Sequence, residues 1–423
     1  MKKIRFTIVG TGNRGLGCFA KGLLGFKDKG LPEFPQRAEL VALVDSNQTR
    51  GRACAVELHR PELPVCRSIQ EAQARAPADW CIVTTPDYAH AGVVVAALEA
   101  GCNVIVDKPL ATSVWECDRI IAAAKRTGRE VVVGHNMRYQ PWALQAARLI
   151  RDGAIGEVIA VEAAEVLDYS HGGDYFHRWH SDFSKSAGLM NHKACHQLDI
   201  LAWILNDDPV EVSSWGGRRY YRPRPDLNHG ARCGDCAITA DCPHFFDMNK
   251  WDGVYRRIYK EAEGEDGYVR DQCVFSDRHT ICDHQSVQIR FARGTLASFT
   301  LVTFAPREFC YFYLTGTRGR LELGQSSENG KPYLRLVDPR GQVKSFATET
   351  DQSEHGHGGA DIRLIADRLG LGSSDPLQRA TPEEARRAVL IADLASRSIA
   401  QGGRPVTVDQ AGRDFPPAPP VSR

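Results

Sequence analysis

The first 140 residues alternate between short aliphatic or aromatic runs and longer stretches of helical period. "IRFTIVG" leads into "GTGNRGLGCFAKGLL", and "AELVALVD" closes a second apolar run. "DWCIVTTP" precedes "AHAGVVVAALEAG", "NVIVDKP" precedes a helix through "CDRIIAAAKRTG", and "EVVVGHN" ends the series. Strand-length runs alternating with helix-length segments predict βαβ units, hence an α/β domain with a parallel, doubly wound sheet over residues 1–140. Later the period changes to two: "HQSVQIRFARGTLASFTLVTF", "EFCYFYLTGTRGRLELG" and "PYLRLVDPRGQVKSF" turn at "RG", "TRG" and "PRG", which predicts an antiparallel meander. "TPEEARRAVLIADLASRSIAQGG" has a capping signal and an amphipathic period, so it is expected to be the final long helix. A second, α+β domain is therefore assigned to residues 141–410, with an aperiodic insertion at about 216–272 and a proline-rich tail over 411–423.

Composition adds limits. At 423 residues the chain is long enough for two cores. Its 53 Lys and Arg nearly balance 52 Asp and Glu, so no strong field favours nucleic acid or an anionic membrane. No apolar run approaches the roughly 20 residues of a membrane helix. The apolar part of "MKKIRFTIVGTG" is too short for a signal peptide, and a cytoplasmic protein is expected.

Candidate chemistry begins at the first strand-to-helix junction, where Gly10, Gly12 and Gly15 spell G-x-G-x-x-G around Asn13 and Arg14. Glycines there let backbone N–H groups approach a pyrophosphate. Asp45 ends the second strand, where a carboxylate accepts from ribose hydroxyls and repels a 2′-phosphate; NAD is expected, with Arg50 keeping NADP as the alternative. Ligands of such sheets sit beyond the carboxyl ends of the strands. The candidates there are Thr85, Pro86 and His90, then Asp107, Lys108 and Pro109, then Asn136 and Arg138.

"GTGNRG", "TTPDYAH", "VDKPLA", "GHNMRYQP" and "GAIGEV", in this order, resemble the glucose–fructose oxidoreductase, inositol dehydrogenase and MocA (Gfo/Idh/MocA) family over nearly the whole chain. The resemblance implies an N-terminal Rossmann domain and a C-terminal domain built on a large, open, mostly antiparallel sheet. It also implies NAD(P)-dependent oxidation of sugars, inositols or related polyols, and a homodimer or homotetramer formed through that sheet. A minority of such proteins hydrolyse glycosides through a transient oxidation. Lys108 is implied to lie near the nicotinamide and the reacting hydroxyl, and Lys108–Pro109 to be cis. The family's D-x-x-x-H-x-x-D signature is kept here at His196 and Asp199, but its first aspartate is replaced by His192, with Lys193 beside it.

"MNHKACHQLDILAWIL" is expected to be one helix. At about 100° per residue, His196, Asp199 and Lys193 then fall at about +40°, −20° and +100° from His192, on one polar face. Removing a hydroxyl proton as hydride leaves requires a base, and a histidine with a usual pKa of about 6.5 is neutral at pH 7. His196 is the expected base and Lys108 the cation that polarises the oxygen. Lys193, crowded by histidines, is expected to have a lowered pKa and to compete as base. Tyr175, His177, Arg178, Trp179 and His180 mix polar groups with aromatic faces, which suits the hydroxyl edges and C–H faces of a polyol. His355, His357 and Asp361 sit on a glycine-rich stretch for which two readings stand, a loop that closes over the substrate and a plain connecting loop. Finally, Cys233, Cys236, Cys242 and Cys273, with His244 nearby, have spacing that suits a structural zinc; a reduced set or one disulfide are the alternatives.

Overall fold

The computed structural model describes residues 2–412 apart from 28, 249, 251–252, 350–355 and 372–374. His355 and most of the proline-rich tail lie outside the described residues. The N-terminal lobe holds a six-stranded sheet: β1 Ile4–Val9, β2 Ala38–Val44, β3 Val65–Cys66, β4 Trp80–Val83, β5 Asn103–Asp107 and β6 Val131–Gly134. Its order, β3-β2-β1-β4-β5-β6, reverses direction between β1 and β4, and every neighbouring pair is parallel. Such a reversal opens a crevice at the strand ends. The strands are apolar on both faces because helices such as His90–Glu99 and Val114–Thr127 cover them.

The C-terminal lobe carries nine strands: β7 Val158–Asp168, β8 Pro209–Gly217, β9 His284–Phe291, β10 Leu296–Ala305, β11 Phe309–Gly316, β12 Gly319–Gln325, β13 Pro332–Val337, β14 Val343–Ser345 and β15 Val406–Thr407. They lie in the order β14-β13-β12-β11-β7-β10-β9-β8-β15. All neighbours are antiparallel except β7 with β10. Helices Pro141–Arg151, Cys195–Leu205 and Pro382–Ala400 pack on one face, the last opened by a Thr381–Glu384 capping box. The other face is only half covered and stacks Tyr311 on Tyr313 at 4.8 Å.

Three findings depart from the sequence reading. The expected single helix after Met190 is broken: Gly188–His192 ends, Lys193 and Ala194 turn, and Cys195–Leu205 restarts. Second, the apolar cores do not divide at residue 140. Val254 and Ile258 of the insertion, and Ile362, Leu364 and Ile365 of the helix Ala360–Arg368, are buried in the same cluster as Phe6, Leu16 and Ile82. A fully buried Ile or Leu contributes about 1.5–3 kcal/mol, so these returning segments are fixed to the first lobe by ordinary burial. Third, the insertion contains short helical turns, Gly253–Tyr255, Arg256–Lys260 and Glu263–Asp266, that lie against the glycine-rich loop and the end of β2.

Candidate active site

One cleft of about 2280 Å³ runs from the carboxyl edge of the parallel sheet into the second lobe. At one end is the glycine-rich loop. Gly10 has φ +93°, and a Cβ there would stand 2.8 Å from the backbone of Thr84 and Thr85. A Cβ on Gly15 would come 2.1 Å from the Gly10 carbonyl oxygen, so this glycine lets the following helix close on the strand; unlike Gly10 and Gly12 it does not line the cleft. Asp45 lines it too. Its carboxylate accepts from Thr11 N at 2.8 Å, Thr11 Oγ1 at 2.7 Å and Asn47 N at 2.9 Å, and pairs with Arg50 at 3.3 Å. These residues fit the pyrophosphate and ribose of a dinucleotide: small where the backbone must approach, and acidic where hydroxyls arrive.

Further along, Lys108 directly follows β5, the Lys108–Pro109 bond is cis, and Lys108 Nζ donates to the backbone oxygen of His192 at 2.8 Å. His90 bridges the carbonyl oxygens of Thr85 and Pro109 at 2.9 and 2.7 Å, tying the loops after β4 and β5 together. Arg14 is held between Asp107 at 3.0 Å and Asp361 at 2.8 Å, and Asn136 Nδ2 also donates to Asp361, at 2.9 Å. Although burial opposes it, Arg14 and His357 hold the Asp361 carboxyl well below the usual carboxylate range.

His192, Lys193 and His196 all reach the cleft despite the helix break. His192 Nδ1 lies 2.7 Å from Asp87, whose carboxyl is pushed up by burial. The His196 imidazole is driven well below its usual pKa by burial and then by the nearby Lys108 and Lys193 charges, so it is neutral; its buried Nδ1 has no hydrogen-bond partner among the described residues. Lys193 differs from expectation. Burial alone would lower it, but Glu165, 3.0 Å away on β7, outweighs burial and raises its pKa. It is a paired ammonium, not a competing base.

Three expected site residues, Arg138, Asp199 and His177, are turned elsewhere. Arg138 and Asp199 form a buried bidentate pair at 2.8 and 2.7 Å, and neither lines the cleft. Asp199 lies past the break at Lys193–Ala194 and closes on Arg138, whereas His192 and His196 line the cleft. Tyr175, Arg178, Trp179 and His180 do line the cleft, with Trp179 stacked on His180 at 3.8 Å and His180 packed 4.1 Å from His192. His177 does not; its Nδ1 meets the Gln272 carbonyl oxygen at 2.6 Å beside the cysteines. Cys233, Cys236, Cys242 and Cys273 border one small cavity of about 10 Å³ with His229 and His244, and all four are free. Among the described residues no group of three or more His, Cys, Asp or Glu is arranged to hold a metal ion. Sequence reasoning passed over Asp87, Glu165 and Glu308, which pair with His192, Lys193 and His171. Asp87 lies within "TTPDYAH", but only contact across the lobes shows what it orients.

A doubly wound sheet with a glycine-rich first turn, a cleft at the switch point and paired cations and imidazoles across two lobes defines a dinucleotide-dependent redox fold. Residues 4–135 match the oxidoreductase family with an NAD-binding Rossmann fold, and residues 147–408 match the family's C-terminal alpha/beta domain. The chain belongs to the Gfo/Idh/MocA family of NAD(P)-dependent oxidoreductases. It is 28% identical, over 95% of its length and 96% of the relative's, to the Bacillus subtilis protein designated oxidoreductase YteT. It is 30% identical to the 2,7-anhydro-N-acetylneuraminate hydratase of Mediterraneibacter gnavus over 51% of this chain, and 29% identical to an inositol 2-dehydrogenase of Gluconacetobacter diazotrophicus over 49%. Those two alignments span 53% and 62% of the relatives, less than two thirds of each. In fold it is similar to an oxidoreductase domain protein from Kribbella flavida (TM-score 0.69, 20% identity, 96% of this chain and 100% of that one). It is also similar to an aldose-aldose oxidoreductase from Caulobacter crescentus (TM-score 0.64, 16% identity, 96% and 100%). No helix among the described residues is long and apolar enough to cross a membrane.

Proposed function

We propose that the protein oxidises a ring hydroxyl of a sugar, glycoside or polyol with NAD as acceptor. Bound NAD⁺ supplies the hydride acceptor. The carbinol carbon gives up its hydride, the hydroxyl proton passes to the neutral imidazole of His196, and a carbonyl remains. Lys108 holds positive charge against the oxygen as alkoxide character develops, which is where a fixed cation lowers a barrier most. His192, oriented by Asp87, lines the same cleft as a second proton carrier. Tyr175, Arg178, Trp179 and His180 form the wall for the substrate ring. The observation that carries the reading is the meeting of the lobes at 2.8 Å between Lys108 Nζ and the His192 backbone, within reach of the buried, neutral His196.

A second reading has one specific support. The His192–Asp87 and His171–Glu308 pairs, at 2.7 and 2.8 Å, are more acid–base groups than simple oxidation needs, and one relative is named a hydratase. Oxidation acidifies the C–H next to the new carbonyl, so a neighbouring group can be eliminated before the hydride returns. Incubation with NAD⁺ and a panel of inositols, free sugars and aryl glycosides separates the two. Net NADH supports the dehydrogenase; aglycone release without net NADH supports the elimination route; neither outcome, with NAD bound, refutes both.

A further inference from the structure

The insertion reaches the place where NAD and NADP differ. The helix Gln48–Glu57 begins just beyond Asp45, and its first free N–H groups, with any nearby arginine, form a natural site for a 2′-phosphate. Here the site is filled by the protein's own carboxylates. Glu265 accepts from Gln48 N and Thr49 N, both at 2.9 Å, and also pairs with Arg67 at 3.3 Å. Arg50 gives Nη2 to Asp266 at 2.7 Å, Nη1 to Asp45 at 3.3 Å and Nε to the Ile258 carbonyl oxygen at 2.9 Å. Three contacts pin the insertion there: Asn47 Nδ2 donates to the Ala262 oxygen at 2.8 Å, Asn13 N donates to Tyr259 Oη at 2.9 Å, and Tyr255 Oη bonds the Asn13 side chain. Asp45, Arg50, Arg67 and Asp266 all line the cleft.

We propose that Asp266 and Glu265 are the dinucleotide selector: they occupy the anion position at the end of β2, so that a ribose 2′-hydroxyl is accepted and a 2′-phosphate is rejected. The inference rests on the dinucleotide reading above and adds to it residues 216 or more positions from the helix that they cap. The charge count favours it. Two guanidiniums, Arg50 and Arg67, already face three carboxylates, Asp45, Glu265 and Asp266. A 2′-phosphate would add about two more negative charges where both guanidiniums are already paired. Asp45 alone could be balanced by Arg50, as in enzymes that take NADP; Asp266 removes that option.

The test measures the dissociation constants of NAD⁺ and NADP⁺ for the full chain and for Asp266→Asn, Glu265→Gln and the double variant. Wild type should bind NAD⁺ more tightly. Asp266→Asn releases Arg50 for the phosphate, and because a charge-assisted pair is worth about 1.5–3 kcal/mol, the NADP⁺/NAD⁺ affinity ratio should rise about tenfold or more. Adding Arg50→Gln to Asp266→Asn should cancel that rise, which loosening of the insertion by itself would not produce. A ratio within about twofold of wild type in both Asp266→Asn and the double variant, or a wild type that prefers NADP⁺, overturns the selector. A chain that binds neither dinucleotide overturns the proposed function, and the selector with it.

Discussion

Acid should unfold this protein earlier than its charge balance suggests, because several histidines are buried neutral. His135 and His279 are each only 1% exposed, and burial pushes both imidazoles down to about 4. In the unfolded chain the same groups take up a proton near pH 6.5. A folded pKa below the unfolded one gives stability that is complete above about pH 6.5 and is lost as pH falls towards the folded value. At pH 5.5, one unit below the unfolded value, each histidine has lost about 1.4 kcal/mol, so the two together cost about 3 kcal/mol. Asp393 acts in the opposite sense: burial raises its carboxyl to about 6. It therefore binds a proton in the folded state first and returns about 1 kcal/mol at pH 5.5. His180, His192 and His196, all lowered by burial, add to the loss. Asp87 and Glu165, also raised by burial, act with Asp393, so the change from His135, His279 and Asp393 taken together is about 2 kcal/mol, a sizeable part of a usual 5–15 kcal/mol. Urea titrations at pH 7.5 and 5.5 read it as a shift in midpoint. His135→Gln should remove about 1.4 kcal/mol of the pH-dependent part. Equal or greater stability at pH 5.5, or an acid limb unchanged by His135→Gln, would refute the buried-neutral assignment.

Three further outcomes are expected. Lys108→Met should lower kcat by about 10²–10³, and His196→Gln by a similar factor, with NAD affinity within a few-fold of wild type; a fully active double variant removes the proposed site. Lys193→Met leaves Glu165 buried without its cation and should cost about 3–5 kcal/mol in urea unfolding, largely restored by adding Glu165→Gln; a neutral single change would show that the pair is not what holds β7 to the turn after His192. If copies associate through the half-covered sheet face, light scattering gives a multiple of 46.8 kDa and Tyr313→Glu shifts it towards a single chain; a wild-type mass of one chain ends that expectation.

What the sequence determined by itself is local. The alternation of apolar runs with helical segments fixed the parallel sheet, because strands covered on both faces must be apolar throughout. Gly10, Gly12, Gly15, Asp45 and Lys108 stood out as candidates because a turn, a close backbone approach or the end of a buried strand leaves few residue types possible at each position. The cluster at His192, Lys193 and His196 stood out by its density of titratable groups, although its helix is broken and Lys193 proved to be paired.

Tertiary structure alone decided which side chains answer one another. Asp199 was expected at the reaction centre and instead closes on Arg138, 61 positions away, since the fold buries both charges and either left unpaired there would cost about 3–5 kcal/mol. Glu165, Asp87 and the carboxylates of the insertion carry no pattern in their own segments; their roles exist only across distances of 28 to 217 residues. Electrostatics depends on separation in space, and nothing in a linear period records that distance.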